Sequence, residues 1–167
     1  MRLNLSESEL KNKMKDVCIL CDTREQENKH IIEFFDSKNT LHKECKLDIG
    51  DYSFCAGNEF YNDEIVIERK RNLDEIAGNF TSDRHRFESE FIRAKVGMTK
   101  FYLLIENASY EDVINGNYQS KLSAEALFAS LCSWQTRYDV NIVFCKQKDS
   151  GKIINGILKY YYRNVVK

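Results

Sequence analysis

The 167-residue chain contains no proline and only seven glycines, and no part of it is repeated or low in complexity. Nothing therefore marks a linker between two domains, and the length fits a single domain that buries ~70% of the unfolded chain's surface. Long apolar runs are also missing. Segments such as Tyr102 to Ile105 fall far short of the ~20 residues needed to span a bilayer. The N-terminus has no apolar stretch followed by small residues, so it does not read as a signal peptide, and an intracellular location is expected. Nor is there an excess of one charge: 25 Lys and Arg stand against 26 Asp and Glu, for a formal net charge of -1. That balance gives no sign of nucleic-acid affinity, although an acid-rich metal site would itself cancel local basic charge. The three histidines, His30, His42 and His85, show no ligand spacing and are read as surface or core residues.

What is present is the composition of a soluble globular protein, 43% hydrophobic and 31% charged. Four of the six cysteines sit within apolar or aromatic runs, which suits small buried thiols in a reducing compartment. Cys18-x-x-Cys21 has a spacing known from zinc and redox pairs. A second such pair is absent, and residues i and i+3 of a strand point to opposite faces.

Residues 1–15 are polar with weak periodicity and read as a loose tail or frayed helix, with a single domain over 16–167. Val17 to Cys21 is a continuous apolar run that suits a strand buried on both faces. Thr23-x-x-Gln26 has the form of a capping box and predicts a helix over 25–37. Strands are expected over 44–49, 52–56 and 64–70, with Gly50-Asp51 and Gly57-Asn58 as tight antiparallel connections. Asn72-x-x-Glu75 opens a short helix that Gly78 would end, and Thr81 or Ser82 would cap the next, which carries Phe87, Phe91 and Ala94 and stops at Gly97. Further on, the pattern predicts a buried strand over 101–106 and a short helix over 109–115. A long helix follows with Leu127, Leu131, Trp134 and Tyr138 on one stripe, then a strand over 141–145 and an amphipathic helix over 150–167. These elements make an α/β fold, a mixed central sheet flanked by helices.

Acidic residues gather at the ends of separate strands: Asp22 and Glu25 after the first, Asp51 in a turn, and Glu68 in the run Glu68-Arg69-Lys70. Strand ends on one side of a sheet converge, so these carboxylates are candidates for one site. Side chains alternate along a strand, placing Glu68 and Lys70 on one face and Arg69 on the other. A carboxylate beside a lysine on a rigid strand can hold a divalent metal and a water near a phosphate. Each residue also has a plainer account. Glu68 and Lys70 make a good ion pair, Asp22 would cap a helix, Asp51 suits a turn, and Asp74 near a helix N-terminus favours the macrodipole. Arg84, Arg86, Arg93 and Lys95 lie among Asp83, Glu88 and Glu90, as on a solvated helix face, or else Arg84 and Arg86 contact a DNA backbone.

Asp22-Thr23-Arg24-Glu25, then Gly50-Asp51, then Glu68-Arg69-Lys70 with Asp74 beyond resembles the ordered pattern of XPF-type structure-specific DNA endonucleases. The similarity continues through Arg84-His85-Arg86-Phe87-Glu88-Ser89-Glu90, where the family usually has a glycine before Arg-Phe and a glutamine in place of Glu90. In order and length it covers about residues 17–145.

The resemblance implies a restriction-endonuclease-like core and Mg²⁺-dependent hydrolysis of phosphodiester bonds, with Mn²⁺ able to substitute. Asp51 and Glu68 would bind the ion, with the Arg69 main-chain carbonyl as a further ligand. Asp22 and Glu25 would complete the acidic shell, and Lys70 would orient or help deprotonate the attacking water. Arg24 and Arg69 would hold phosphates or brace carboxylates, with Asp74 in support. Family members often carry a tandem helix-hairpin-helix module, for which there is no room here. A stand-alone nuclease domain of the small bacterial or phage kind is expected, acting on branched, flap or fork DNA in repair, recombination or replication. Selectivity would come from a homodimer, a heteromeric partner or the nuclease surface. The alternative is a non-catalytic DNA-binding or scaffold subunit.

Overall fold

The computed structural model describes residues 5–82 and 84–167. Helix α1 (Glu7–Lys15) opens the chain, and Ser6 and Glu9 close a reciprocal capping box over its first turn. A regular helix thus stands where a loose tail or frayed helix was expected. It is held by burial of Leu10 and by contact with the last helix of the chain. Strand β1 (Val17–Cys21) follows as predicted.

Helix α2 (Lys29–Ser37) begins four residues later than the Thr23-x-x-Gln26 signal suggested. Residues 22–28 form a turn and irregular chain instead, with Asp22 bonded to Arg24 and Leu47. The expected strand over 44–49 is displaced: β2 (His42–Glu44) pairs parallel with β1 and the chain then leaves the sheet. Strand β3 (Tyr52–Ala56) pairs antiparallel with both β4 (Glu59–Phe60) and β5 (Ile65–Lys70), whereas the Gly50-Asp51 turn, expected as a tight antiparallel connection, joins β2 and β3 on either side of β1. Helix α3 (Leu73–Ser82) runs through Gly78, the expected stop, and α4 (Arg84–Val96) follows. The cap side chains sought at Thr81 or Ser82, and the charge at Asp83, lie outside the described residues. The remainder matches the predicted pattern: β6 (Lys100–Glu106), α5 (Tyr110–Asn115), α6 (Ala124–Tyr138), β7 (Asn141–Cys145), a 3-10 turn (Gln147–Asp149) and α7 (Ser150–Val166).

The sheet order is β2-β1-β3-β5-β6-β7, with β4 paired to β3. Strand β3 is antiparallel to both neighbours, whereas β5, β6 and β7 run parallel and end on the same side. Each face buries its own core. Ile19, Phe54, Ile65, Ile67 and Leu104 pack with Phe35 of α2 and Ile154, Leu158 and Tyr162 of α7. Val66, Phe101, Leu103 and Ile105 pack with Phe91, Leu131 and Trp134 on the other face. The Phe91 and Trp134 rings lie 5.0 Å apart and Phe80 stacks on Trp134 at 4.8 Å, contacts worth about 1 kcal/mol each beyond area burial. Of the three consecutive tyrosines in α7, Tyr162 is buried in the core, Tyr161 reaches Glu64 and Tyr160 is exposed. All six cysteines are free thiols. No helix among the described residues is long and apolar enough to cross a membrane.

Candidate active site

The turn before β3 builds the centre of the site. Gly50 has φ +72°, and a Cβ there would stand 3.0 Å from Val66 Cβ, so only glycine lets the turn lie against β5. Asp51 N–H then donates to Ile67 O at 2.8 Å, and Asp51 Oδ2 accepts from Arg69 N–H at 2.7 Å. Strand β3 begins only at Tyr52, short of a position opposite Arg69, and a side-chain carboxylate takes the place of the missing ladder bond. A strand residue's N–H and C=O point the same way, so the Arg69 carbonyl also faces the gap beyond β3.

On one face of β5, Glu68 and Lys70 lie side by side, with Lys70 Nζ 2.5 Å from Glu68 Oε1. Lys70 Nζ also stands 4.9 Å over the Phe87 ring and 4.0 Å from Glu75. Burial alone would lower the Lys70 ammonium's proton affinity, but the Glu68 charge outweighs it and the net direction is upward. Burial first, then the neighbouring Glu68 and Glu25 charges, raise Asp51 well above the ordinary carboxylate range. Burial also raises Glu68, with Lys70 opposing and Glu90 adding to the rise.

Arg69 projects to the opposite face. It donates to Glu25 through Nη2 at 2.7 Å and Nε at 3.3 Å, to Glu106 Oε2 at 3.0 Å, and to Glu27 O at 3.1 Å. Its guanidinium is buried with all three nitrogens engaged, so the geometry fits bracing of carboxylates rather than a grip on phosphate. Glu106, at the end of β6, is fully buried and also accepts from Ser150 Oγ at 2.6 Å and meets His30 Nε2 at 2.7 Å. Sequence reasoning passed over Glu106 and took His30 as a surface or core residue. The signal available was an acid closing an otherwise apolar strand beside β5.

The other expected residues divide. Asp22 is buried, with both oxygens occupied: Arg24 N–H at 2.9 Å, Arg24 Nε at 2.6 Å, Arg24 Nη2 at 3.1 Å and Leu47 N–H at 2.7 Å. Burial pushes its proton affinity up, but these hydrogen bonds prevail and lower it. Its place is under the loop that carries Glu25. Arg24 completes that brace through Leu47 O at 2.8 Å. Asp74 accepts from Gln119 N–H at 2.5 Å and so ties α3 to the loop before α6, outside the cavity. Arg84 pairs with Glu88 at 3.2 Å and lies over Phe80, and Arg86 is exposed on the same helix. Glu90, expected on a solvated helix face and in place of a family glutamine, is instead half-buried. Its Oε2 is sealed from water and has no hydrogen-bond partner among the described residues, and its charge bears on Glu68 and Arg24.

Asp51, Glu68, Lys70 and Glu25 open into one polar cavity of about 280 Å³, whose rim carries Arg24, Arg71, Glu27 and Glu75. Arg71 spans that rim, paired with Glu27 and with Glu75. Two acids with raised proton affinity facing one cavity form a donor set suited to a hard divalent cation. Asp51 and Glu68 each keep one oxygen, Oδ1 and Oε2, without a protein donor among the described residues. No three His, Cys, Asp or Glu groups among the described residues converge on one point. An ion here would complete its shell with main-chain oxygen, water and substrate, as Mg²⁺ does.

Comparison with known proteins bears on the fold and on the family. Two solved structures of XPF from Aeropyrum pernix share the fold, which is restriction-endonuclease-like. The first has a TM-score of 0.66 at 16% identity, and the match covers 86% of this chain and 61% of that one. The second, a complex with DNA, has a TM-score of 0.65 at 17% identity and covers 88% and 66%. The chain thus spans under two thirds of the length of the first and about two thirds of the second. No curated protein sequence matches it. Residues 21–157, which include every acid of the cavity, match the ERCC4 domain, and the chain belongs to the ERCC4 domain family.

Proposed function

We propose that the protein is a metal-dependent DNA endonuclease that hydrolyses phosphodiester bonds in branched, flap or fork DNA. The observation that carries this reading is the meeting of Asp51 and Glu68 in one polar cavity, from a turn and a strand that share backbone hydrogen bonds, with Lys70 beside them. The match to an XPF structure in complex with DNA supports DNA as the substrate class.

In this reading Asp51, Glu68 and the Arg69 carbonyl would hold Mg²⁺ or Mn²⁺, with Glu25 completing the acidic lining of the same cavity. When bound, the ion lowers the pKa of water and neutralises charge on the phosphoryl group. Lys70, held protonated beside Glu68, donates to the attacking water or a phosphate oxygen and keeps either in line with phosphorus. Its charged state supports orientation over proton removal. Arg69 fixes Glu25 and, through its main chain, Asp51, so both acids are set before substrate arrives. Asp22 and Arg24 hold the loop that delivers Glu25. Arg84 and Arg86 take phosphates beyond the cavity, and a second copy or another chain adds selectivity for branched structures.

The test is cleavage of labelled 3′-flap, fork, four-way junction and plain duplex DNA with Mg²⁺, beside EDTA and Asp51→Ala. Cleavage that needs both the ion and Asp51 is expected. DNA binding without cleavage by the wild type would point instead to a scaffold subunit.

A further inference from the structure

The acid cavity is a poor electrostatic host for DNA. Its cations Arg24, Arg69, Lys70 and Arg71 are all paired with carboxylates. A polyanion brought to Asp51 and Glu68 needs unpaired cations at a fixed distance from them, and the sheet supplies such a place. Lys70 on β5 aligns with Ile105 on β6, and Ile105 aligns with Phe144 on β7. Paired residues of parallel strands share a face, so Phe144 lies on the same face as Lys70, two strands away. At ~4.8 Å per strand the separation is about 10 Å.

Phe144 floors an open groove at the ends of β6 and β7, rimmed by Asn107, Lys146 and Lys148. Both lysines are exposed, and neither pairs with a carboxylate among the described residues. Their loop is held at both ends. Gln147 N–H donates to Asn107 Oδ1 at 3.2 Å, Asp149 N–H donates to Lys146 O at 2.9 Å, and Ser150 is anchored on Glu106. The acids nearby are engaged elsewhere: Asp112 accepts from Ser109 Oγ and Asn117 Nδ2, and Glu106 is matched by Arg69. Asp149 adds one negative charge to the turn.

We infer that this groove is a DNA-backbone site, in which Lys146 and Lys148 hold the phosphates of the strand a few nucleotides from the bond at the acid cavity. The inference rests on the endonuclease reading. The spacing of about 10 Å between Lys70 and Phe144 is only a few axial rises of ~3.4 Å, so the backbone of one strand passing the cavity comes within reach of the groove. Phe144, in edge contact with Tyr110 at 4.8 Å, gives the sugar face an apolar floor.

The experiment is fluorescence-anisotropy titration of a labelled 30-base-pair duplex with the full chain in Ca²⁺ over a series of salt concentrations. Wild type is compared with a Lys146→Ala, Lys148→Ala double variant and with a Lys11→Ala, Lys159→Ala control in the cleft between α1 and α7. Loss of two phosphate contacts should flatten the plot of log K against log salt by about 1.8 and weaken binding by tens of fold near 0.1 M salt. The control should follow the wild type, and circular dichroism should show all three folded. A double variant with the wild-type slope and affinity overturns the groove assignment while leaving the endonuclease reading standing. A wild type that binds no DNA overturns both.

Discussion

Arg69 Nη1 donates to Glu106 Oε2 at 3.0 Å with neither side chain open to solvent, and through this contact the end of β6 sets the position of a residue on β5. The same guanidinium holds Glu25 at the cavity. Burying a cation is tolerable only while its partners remain. Glu106→Ala is therefore expected to cost about 3 kcal/mol of stability, measured by urea denaturation, because it strands Arg69, His30 and Ser150 together. Loss of less than about 1 kcal/mol would show that Glu25 alone compensates Arg69.

Asp51 should weaken the metal-free fold. Burial, then the charges of Glu68 and Glu25, hold its proton affinity above the unfolded value. An acid raised on folding contributes stability that is present below its unfolded pKa and lost as pH rises through its folded pKa. In EDTA at neutral pH, Asp51→Asn is expected to melt a few degrees above wild type, with the gap closing near pH 4, where the unfolded carboxyl itself protonates. Millimolar Mg²⁺ or Mn²⁺ should raise the wild-type melting temperature and leave the variant unmoved, the wild-type gain growing with pH as the acids deprotonate. Identical melting of both proteins with and without the ion would remove Asp51 from the ligand set.

Glu90 offers a separate test, since one of its oxygens is buried without a donor among the described residues and its charge adds to that of Glu68. Glu90→Gln removes the repulsion with Glu68 at nearly constant shape, at the cost of the attraction to Arg24. An increase in stability of about 1 kcal/mol is expected, read from chemical denaturation without metal. A decrease would mean that the carboxylate has a favourable partner in solution.

The turn at Gly50 admits no side chain. Gly50→Ala combines a positive φ, costing about 1–2 kcal/mol, with a contact of 3.0 Å to Val66 Cβ. Thermal melts should show that loss, and calorimetric titration should show weakened Mg²⁺ binding through displacement of Asp51. Wild-type ion affinity in a destabilised Gly50→Ala protein would separate the turn from the site.

Much of this protein was legible along the chain because the relevant physics is local. Alternating and continuous apolar runs predict β1, β3, β5, β6 and β7, and helical spacing predicts α4, α6 and α7, since burial of a regular face follows directly from residue period. The Glu68/Lys70 pair and the Gly50-Asp51 turn depend on strand alternation and on a glycine's positive φ, both properties of a few adjacent residues. What failed locally failed for a shared reason. The capping signal at Thr23 opens no helix, and the segment is instead held by Asp22 on Arg24 and on Leu47, 25 positions away. Gly78 did not stop α3, which packs on β5 and α4. Roles set by distant partners could be decided only by the tertiary structure. Arg69 braces acids because β6 brings Glu106 beneath it, and Asp74 leaves the site because Gln119 claims it. Which of several charged residues face one cavity depends on strand register and helix docking, which no single segment of sequence contains.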